Sequence, residues 1–422
     1  MAMKMKVFNV GFGECILLDK SPDAALLVDC GSKSKNRIDV NRISEHMRNS
    51  KNLSFMLTHF HADHYNGFDK LNNDVRKADK VYFPWISFSP KEGSAIGVLL
   101  KLAIHLIALY EESAIDEDVV FLLKGQIEFI QNHVKENGRA RLLKQHDIFS
   151  LGNCDMEVLW PLQCGVEQYF DNKGHNLERI YDMIEHSLFP DKIAQTKFSS
   201  IQDDIIQNLN DFYSIFDEGN DEFTVTESRL TKLKELIQRQ TDLISRINKM
   251  AATSRNKNKD SVKKWRKSLR KIFHHDNNAC SIVFRDKKDC PSSCYKLLMT
   301  GDITKNVIEQ HLYRAYFQHR QYKYMKCSHH GTYTHYSICL PDSENFIISN
   351  GKYGHYNGIA DEYFLHSQIS GRRYCTNNSC ETLQSGRCCE EYNSQSQCGI
   401  EDFLRSKYLI YNLCIIIYLW RC

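Results

Sequence analysis

Short apolar runs alternate with glycine and polar breaks at the start of the chain. Residues 6–10, 15–18 and 25–28 predict three strands, with Gly11 and Gly13 between the first two. Asp29-Cys30-Gly31 closes the third in a turn. A fourth run, residues 53–57, leads straight into a histidine-rich segment that begins at Thr58. The period then lengthens. Val98, Leu99, Leu102, Leu106 and Leu109 recur at helical spacing, as do Val120, Leu123, Ile127 and Ile130, so residues 97–135 read as helical. Strand character returns at 148–151 and 156–160, and Pro161 ends it.

From Val166 to Lys271 the chain turns polar and helix-rich. Leu230, Leu233, Leu236, Ile237, Leu243, Ile244 and Ile247 form one apolar stripe, and Thr226 to Arg229 supplies helix-start chemistry. Strands resume after Cys280, at 281–284, 296–300, 324–327 and 346–349. The pattern divides the chain into an α/β half at 1–165, a helical insertion at 166–271, a second α/β half at 272–376 and a tail at 377–422. That tail contains a 13-residue apolar run, 408–420, against the ~20 that span a bilayer as a helix, so no membrane span is expected. It reads as a buried strand or helix, or as a tail covered by something else.

Composition adds limits. Hydrophobic residues at 42% allow a sizeable core, and a net charge of +3 does not by itself imply a polyanion partner. No apolar run follows the first lysines as in a secretory signal, so a cytoplasmic protein whose 16 cysteines are free thiols is the expectation. Cys375, Cys380, Cys388, Cys389 and Cys398 crowd the tail, and Cys290 and Cys294 form a loose pair. Neither group has the paired Cys-x-x-Cys of a zinc ribbon.

The chemistry concentrates at Thr58-His59-Phe60-His61-Ala62-Asp63-His64. Four ligand-type side chains follow an apolar strand within six residues. On a strand-to-loop turn His59 and His61 can point to one side, with Asp63 and His64 reaching a second point close by. Imidazole and carboxylate are the donors that zinc and similar ions take in catalytic sites. Two further strand ends supply more. Leu297 to Asp302 is a buried run ending in Gly-Asp, whose carboxylate could bridge two ions. Tyr324 to Gly331 ends in Ser328-His329-His330-Gly331.

These motifs, in this order, resemble the metallo-β-lactamase superfamily, and most of all the soluble hydrolase domain of ComEC-type competence proteins and their stand-alone relatives. The resemblance rests on NVGFGECILL, LLVDCG, THFHADHYNG, NNACSIVF, LLMTGDIT, KCSHHGTYTH and ISNGKYGHYN, over roughly residues 5–165 and 272–376. It implies an αββα sandwich interrupted by the helical insertion. It also implies two divalent ions, zinc with manganese as the alternative. His59 and His61 would hold the first ion, Asp63 and His64 the second, and Asp302 would bridge them. One of His329 and His330 would complete the second site. The other would bind substrate or donate a proton. His355 would contact substrate or transition state, and Asp29 would orient a metal-binding histidine. The chain departs from the superfamily in lacking a clear third histidine for the first ion. His105, His133 and His146 are the candidates, none in a convincing motif.

Such a pair of ions lowers the pKa of a bound water toward ~7, which supplies a nucleophile without a side-chain one. Asp63, His329, His330 and His355 are then the catalytic candidates. The bond cut is expected to be a phosphodiester, in a nucleic acid or a nucleotide. Arg255 to Lys271 holds nine Lys or Arg against one acid, with Trp265 among them. Arg314, Arg320, Lys323 and Lys326 alternate with Tyr316, Phe317, Tyr322 and Tyr324. Basic and aromatic side chains together suit a phosphate backbone and its bases. Two other readings compete: hydrolysis of another ester, thioester or lactam; and a sensor or interaction module in a multi-protein assembly, such as bacterial defence, docking through the helical insertion.

Overall fold

The computed structural model describes residues 2–20, 22–33, 38–85, 95–162, 167–216, 222–287, 294–350, 359–360, 362–365, 372–376 and 414–421. His355 and most of the cysteine-rich tail lie outside them. The strands are β1 (Ala2–Phe8), β2 (Cys15–Lys20), β3 (Ala24–Cys30), β4 (Asn52–Met56) and β5 (Ala78–Pro84). Then come β6 (Val134–Leu143), β7 (Ile148–Leu151), β8 (Cys154–Trp160) and β9 (Glu222–Thr224). The last are β10 (Val283–Asp286), β11 (Cys294–Met299), β12 (Gln321–Lys326), β13 (Asp342–Ile348), β14 (Arg372–Cys375) and β15 (Cys414–Arg421). The protein is therefore a mixed α/β chain. It divides into two compact units: Met1–Pro84 with Leu143–Pro161 and Asn278–Cys422, and Trp85–Leu142 with Leu162–Asn277.

The first unit is built on two mixed sheets. In one the order runs β15-β1-β2-β3-β4-β5, in the other β14-β13-β12-β11-β10-β8-β7. Antiparallel pairs on one side of each sheet give way to parallel ones. β3, β4 and β5 run parallel, and so do β11, β12, β13 and β14. Every residue of β2 and β3 is buried, which is why these strands read as unbroken apolar runs rather than alternating ones. One core joins the two sheets. Met5, Val7, Leu18, Leu26 and Val28 from the first meet Phe149, Met156, Val158, Phe284, Leu297 and Met299 from the second. The apolar tail contributes a strand, β15, antiparallel to β1.

The second unit is mainly helical. The helices of 95–133, which pattern alone attaches to the first α/β half, group here with the later ones. Its long helix Glu227–Lys257 starts at Thr226, whose hydroxyl accepts from the Arg229 amide. Leu233, Leu236, Leu243, Ile244 and Ile247 are the buried stripe. Against the stripe, Asn208 Nδ2 donates to the Leu236 carbonyl and to Gln240 Oε1, while Asn208 Oδ1 and Gln240 Nε2 are buried without a hydrogen-bond partner among the described residues. β6 and β9 form a short antiparallel ribbon that the sequence pattern misses. No described helix is long and apolar enough to cross a membrane. Cys15, Cys30, Cys280, Cys327 and Cys339 are free thiols. Cys154 is disulfide-bonded, against expectation; sequence spacing carries no information on such a pairing.

Candidate metal centre

The site lies in the first unit, at the carboxyl ends of parallel strands from both sheets. This is where α/β sheets collect functional loops. β3 ends in Asp29, β4 runs into Thr58 to His64, β11 into Asp302, β12 into His329 and His330, and β13 into Ser349. The turn between β1 and β2 adds Glu14. The backbone is drawn tight around the site. Glu14 N–H donates to the Asp63 carbonyl, Gly31 N–H to the Glu14 carbonyl, and His329 N–H to the Gly301 carbonyl. Gly31 packs so close that a Cβ there would lie 2.4 Å from the Asp63 carbonyl carbon. Asp29, His329 and His330 all take positive φ, at 54°, 46° and 58°. Non-glycine residues rarely hold that conformation except where a site enforces it.

Hydrogen bonds fix how the imidazoles face. The Asp29 carboxylate accepts from the Thr58 amide at 2.8 Å, from the Thr58 hydroxyl at 2.7 Å and from His64 Nδ1 at 2.8 Å. A carboxylate only accepts, so His64 donates through Nδ1 to Asp29 and turns Nε2 inward toward Asp302. Thr58 Oγ1 has given its proton to Asp29 and thus accepts from His59 Nδ1 at 3.1 Å, which leaves His59 Nε2 inward. His330 Nδ1 donates to the Ser349 carbonyl at 3.0 Å, so its Nε2 also faces the centre.

The inward atoms converge on a single oxygen. Asp302 Oδ2 lies 3.2 Å from His64 Nε2, 3.3 Å from His330 Nε2, 3.9 Å from His329 Nε2 and 4.0 Å from His59 Nε2. His61 Nδ1 is 2.9 Å from His59 Nε2. Asp63 Oδ2 is 3.5 Å from His330 Nε2. Among the described residues of this unit, three donor sets hold their ligand atoms within 4.8 Å of one another: His59, His64 and Asp302; Asp63, His64 and His330; and Glu14, Asp302 and His330.

The electrostatics suit cations. Burial favours the neutral form of Asp302, but His330, His64 and Lys326 outweigh it and hold the carboxyl well below its usual range. Asp63 is depressed in the same way, with Lys33 at 2.8 Å and His330 overcoming burial. Burial, assisted by His64, keeps His59 neutral. Burial, assisted by His335, does the same for His329. His64 is lifted well above its ordinary value because Asp302 and Asp29 outweigh burial. Burial lowers His330, yet Asp302 and Asp63 overcome it and raise the imidazole to about 9.

An observation apart from the donor types tests whether an ion fits. His330 Nε2 is buried and has no hydrogen-bond partner, although two carboxylates lie within 3.5 Å of it. An inward imidazole nitrogen set between two carboxylates without a well-formed hydrogen bond is a donor set that a divalent ion would satisfy on displacing the Nε2 proton. His59, His61, Asp63, His64, Asp302 and His330 thus come together in one cluster. The choice between His329 and His330 also acquires a physical basis. His330 is fully buried and its tautomer is set, whereas His329 is 18% exposed and pinned by Thr332 Oγ1 and a stacked His335 ring.

Other expectations fare differently. His105 is committed elsewhere in the helical unit, with Nδ1 on the Lys101 carbonyl and Nε2 on Glu185. His133 packs against Phe129, and His146 sits in the turn before β7 with φ 73°. None supplies the absent third histidine. In the second basic stretch Tyr316, Phe317, Tyr322 and Tyr324 are buried, so they fill the core rather than stack on bases. Lys326 from that stretch is wholly buried at the site, with Nζ on Glu14 at 2.6 Å and on Asp302 at 3.3 Å. Glu14, Lys33, Thr58 and Ser349 are site residues that sequence reasoning missed, and Lys326 was read there only as part of a basic stretch. The only signal for Glu14 and Lys326 is one charge at the edge of an apolar run.

No family model matches this chain, and no curated protein matches it.

Proposed function

We propose that the chain is a two-ion hydrolase of the metallo-β-lactamase type that cleaves phosphodiesters. The convergence of His59, His64, His329 and His330 nitrogens within 4.0 Å of one Asp302 oxygen carries this reading. Two core-sharing mixed sheets with the site at their strand ends are compatible with the sandwich that the motifs suggest.

His59 and His61 would hold one ion, and Asp63, His64 and His330 the other, with Asp302 facing both. Bound there, divalent ions acidify water and offset negative charge on a reacting phosphoryl group. The chain's own groups do the rest. Asp29 fixes the His64 tautomer and, through Thr58, the His59 tautomer. The Ser349 carbonyl fixes His330. His329 is neutral and partly exposed, which suits it to hydrogen-bond a non-bridging oxygen or the leaving group. His355 remains a candidate for the same task, outside the described residues.

A basic helix supports a phosphodiester over another ester. On Lys259–Ala279, Val262, Leu269 and Phe273 are buried while Lys263, Lys264, Lys267 and Lys271 are exposed. Those four lysines make no ion pair among the described residues. The deciding experiment measures metal content together with hydrolysis of bis-p-nitrophenyl phosphate. We expect about two equivalents of zinc or manganese and metal-dependent turnover. Asp63→Ala/His64→Ala should abolish both the second equivalent and the turnover. Two ions without turnover would shift the reading to another ester, and no ion at all would overturn it.

A further inference from the structure

A carboxylate that faces two ions must present the right oxygen, and free rotation about its Cβ–Cγ bond would spoil that. In this protein Asp302 does not depend on the ions for its orientation. Its Oδ1 lies 3.3 Å from Lys326 Nζ, which also donates to the Gly301 carbonyl at 2.8 Å. Lys326 is held in turn by Glu14 Oε2 at 2.6 Å. Glu14 Oε2 takes a second hydrogen bond from Ser349 Oγ at 2.7 Å, and Ser349 is the residue whose carbonyl fixes His330. All four side chains are buried. The network therefore starts on the β1–β2 turn, crosses to β12 and the end of β13, and touches two expected ligands.

We propose that Glu14 and Lys326 are the positioning residues of this site, holding Asp302 so that Oδ2 alone faces the ions while Ser349 sets His330. Lys326 has no lone pair to offer an ion while protonated, and Glu14, although near the donor atoms of Asp302 and His330, has Oε2 engaged by Lys326 and Ser349. The ammonium occupies Oδ1, which keeps Asp302 from chelating one ion through both oxygens. Glu14 is the common node, since its one carboxylate holds the group that orients Asp302 and the residue that orients His330. The inference rests on the two-ion reading, and its test separates the two.

The test is ion binding by the full chain, without reference to turnover. Zn²⁺ stoichiometry and chelator-competition affinity would be measured, together with the Co²⁺ absorption spectrum, which reports ligand geometry. Lys326→Met alone leaves the buried Glu14 carboxylate without its charged partner and risks misfolding, whereas Glu14→Gln alone leaves Lys326 paired with Asp302. The double variant Glu14→Gln/Lys326→Met removes both charges at similar volume, and replacing a buried pair in this way is often tolerated. We expect it to fold with an unchanged circular dichroism spectrum, to bind ions about 10–100-fold more weakly, as is usual when the groups behind metal ligands are removed, and to show an altered Co²⁺ spectrum. Should the double variant not fold, Glu14→Gln alone, which changes no heavy-atom count, is expected to give the same spectral change. The matching control is Lys6→Met/Asp19→Asn, a buried ion pair between β1 and β2, which should leave ion binding as in the wild type. A folded variant, double or Glu14→Gln, with wild-type affinity and spectrum would overturn the inference while the two-ion reading stood. A wild-type protein that binds no ion would overturn that reading itself.

Discussion

Asp29 shows how much of the site depends on single atoms. Its two oxygens accept three hydrogen bonds, and an asparagine has only one oxygen to offer. Asp29→Asn places an NH₂ against Thr58 or His64, so one histidine loses its tautomer. Ion affinity should fall about 10–100-fold, read by chelator competition. His330 adds a pH dependence whose sign follows from its pKa of about 9. Below that value the ion-free imidazole carries a proton on Nε2, and a binding ion must displace it. Apparent Mn²⁺ affinity should therefore rise by at least about tenfold per pH unit up to roughly 9, and more steeply where His64, lifted above its ordinary value too, must also lose a proton, with matching proton release by calorimetry. Binding that did not change between pH 6.5 and 9 would remove His330 from the ligand set. The sequence makes His59, His61, Asp63 and His64 legible because four ligand types fall together on one loop. Glu14, Lys326 and Ser349 are illegible there, since their roles arise only when three separate strand ends meet. His329 and His330 cannot be told apart by type, because their difference lies in burial and in partner, the Thr332 hydroxyl for His329 and the Ser349 carbonyl for His330.

At the level of elements, the loops hold their ligands because the strands beneath them are packed without slack. Gly31 follows β3 and touches the backbone of the metal loop. A Cβ there would lie 2.4 Å from the Asp63 carbonyl carbon and 2.5 Å from the His64 nitrogen, and backbone cannot move aside as a side-chain tip can. Gly31→Ala should destabilise the fold by about 1–3 kcal/mol, the usual cost of overpacking, and weaken ion binding as the loop shifts. Denaturant unfolding and ion titration check the two effects separately; wild-type behaviour in both would mean that the loop is not anchored there. Strands with continuous burial, β2 and β3, were legible because apolar runs need no partner to be seen. β6 was not. Its sequence, VKENGRARLL, is half-exposed and polar, and β9 is three residues long, so pairing rather than pattern makes them strands. The apolar run near the end left strand and helix open, and residues 414–421 take the strand geometry of β15.

Across the whole molecule, the α/β unit carries the candidate centre and the helical unit carries the strongest exposed positive charge. The helix Lys259–Ala279 buries one face through Val262, Leu269 and Phe273. That leaves Lys263, Lys264, Lys267 and Lys271 on the opposite side, spaced by three and four residues so that they form one stripe. A stripe of this kind either is simply solvated or binds a polyanion, and salt dependence distinguishes the two. Each phosphate that a lysine neutralises releases condensed counterions, so the plot of log affinity against log salt steepens by about 0.9 per phosphate on duplex DNA and about 0.7 on single strands. If the stripe meets a nucleic acid, replacing all four lysines by alanine should make the slope shallower by about that amount for every phosphate left unneutralised. The Michaelis constant for a nucleic-acid substrate should rise in step. Fluorescence anisotropy across a salt series from roughly 50 to 200 mM reads the slope directly, and these exposed positions put folding at little risk. An unchanged slope together with unchanged hydrolysis would make the stripe a solvated face. The phosphodiester reading would then rest on the metal centre alone, which serves other esters equally well.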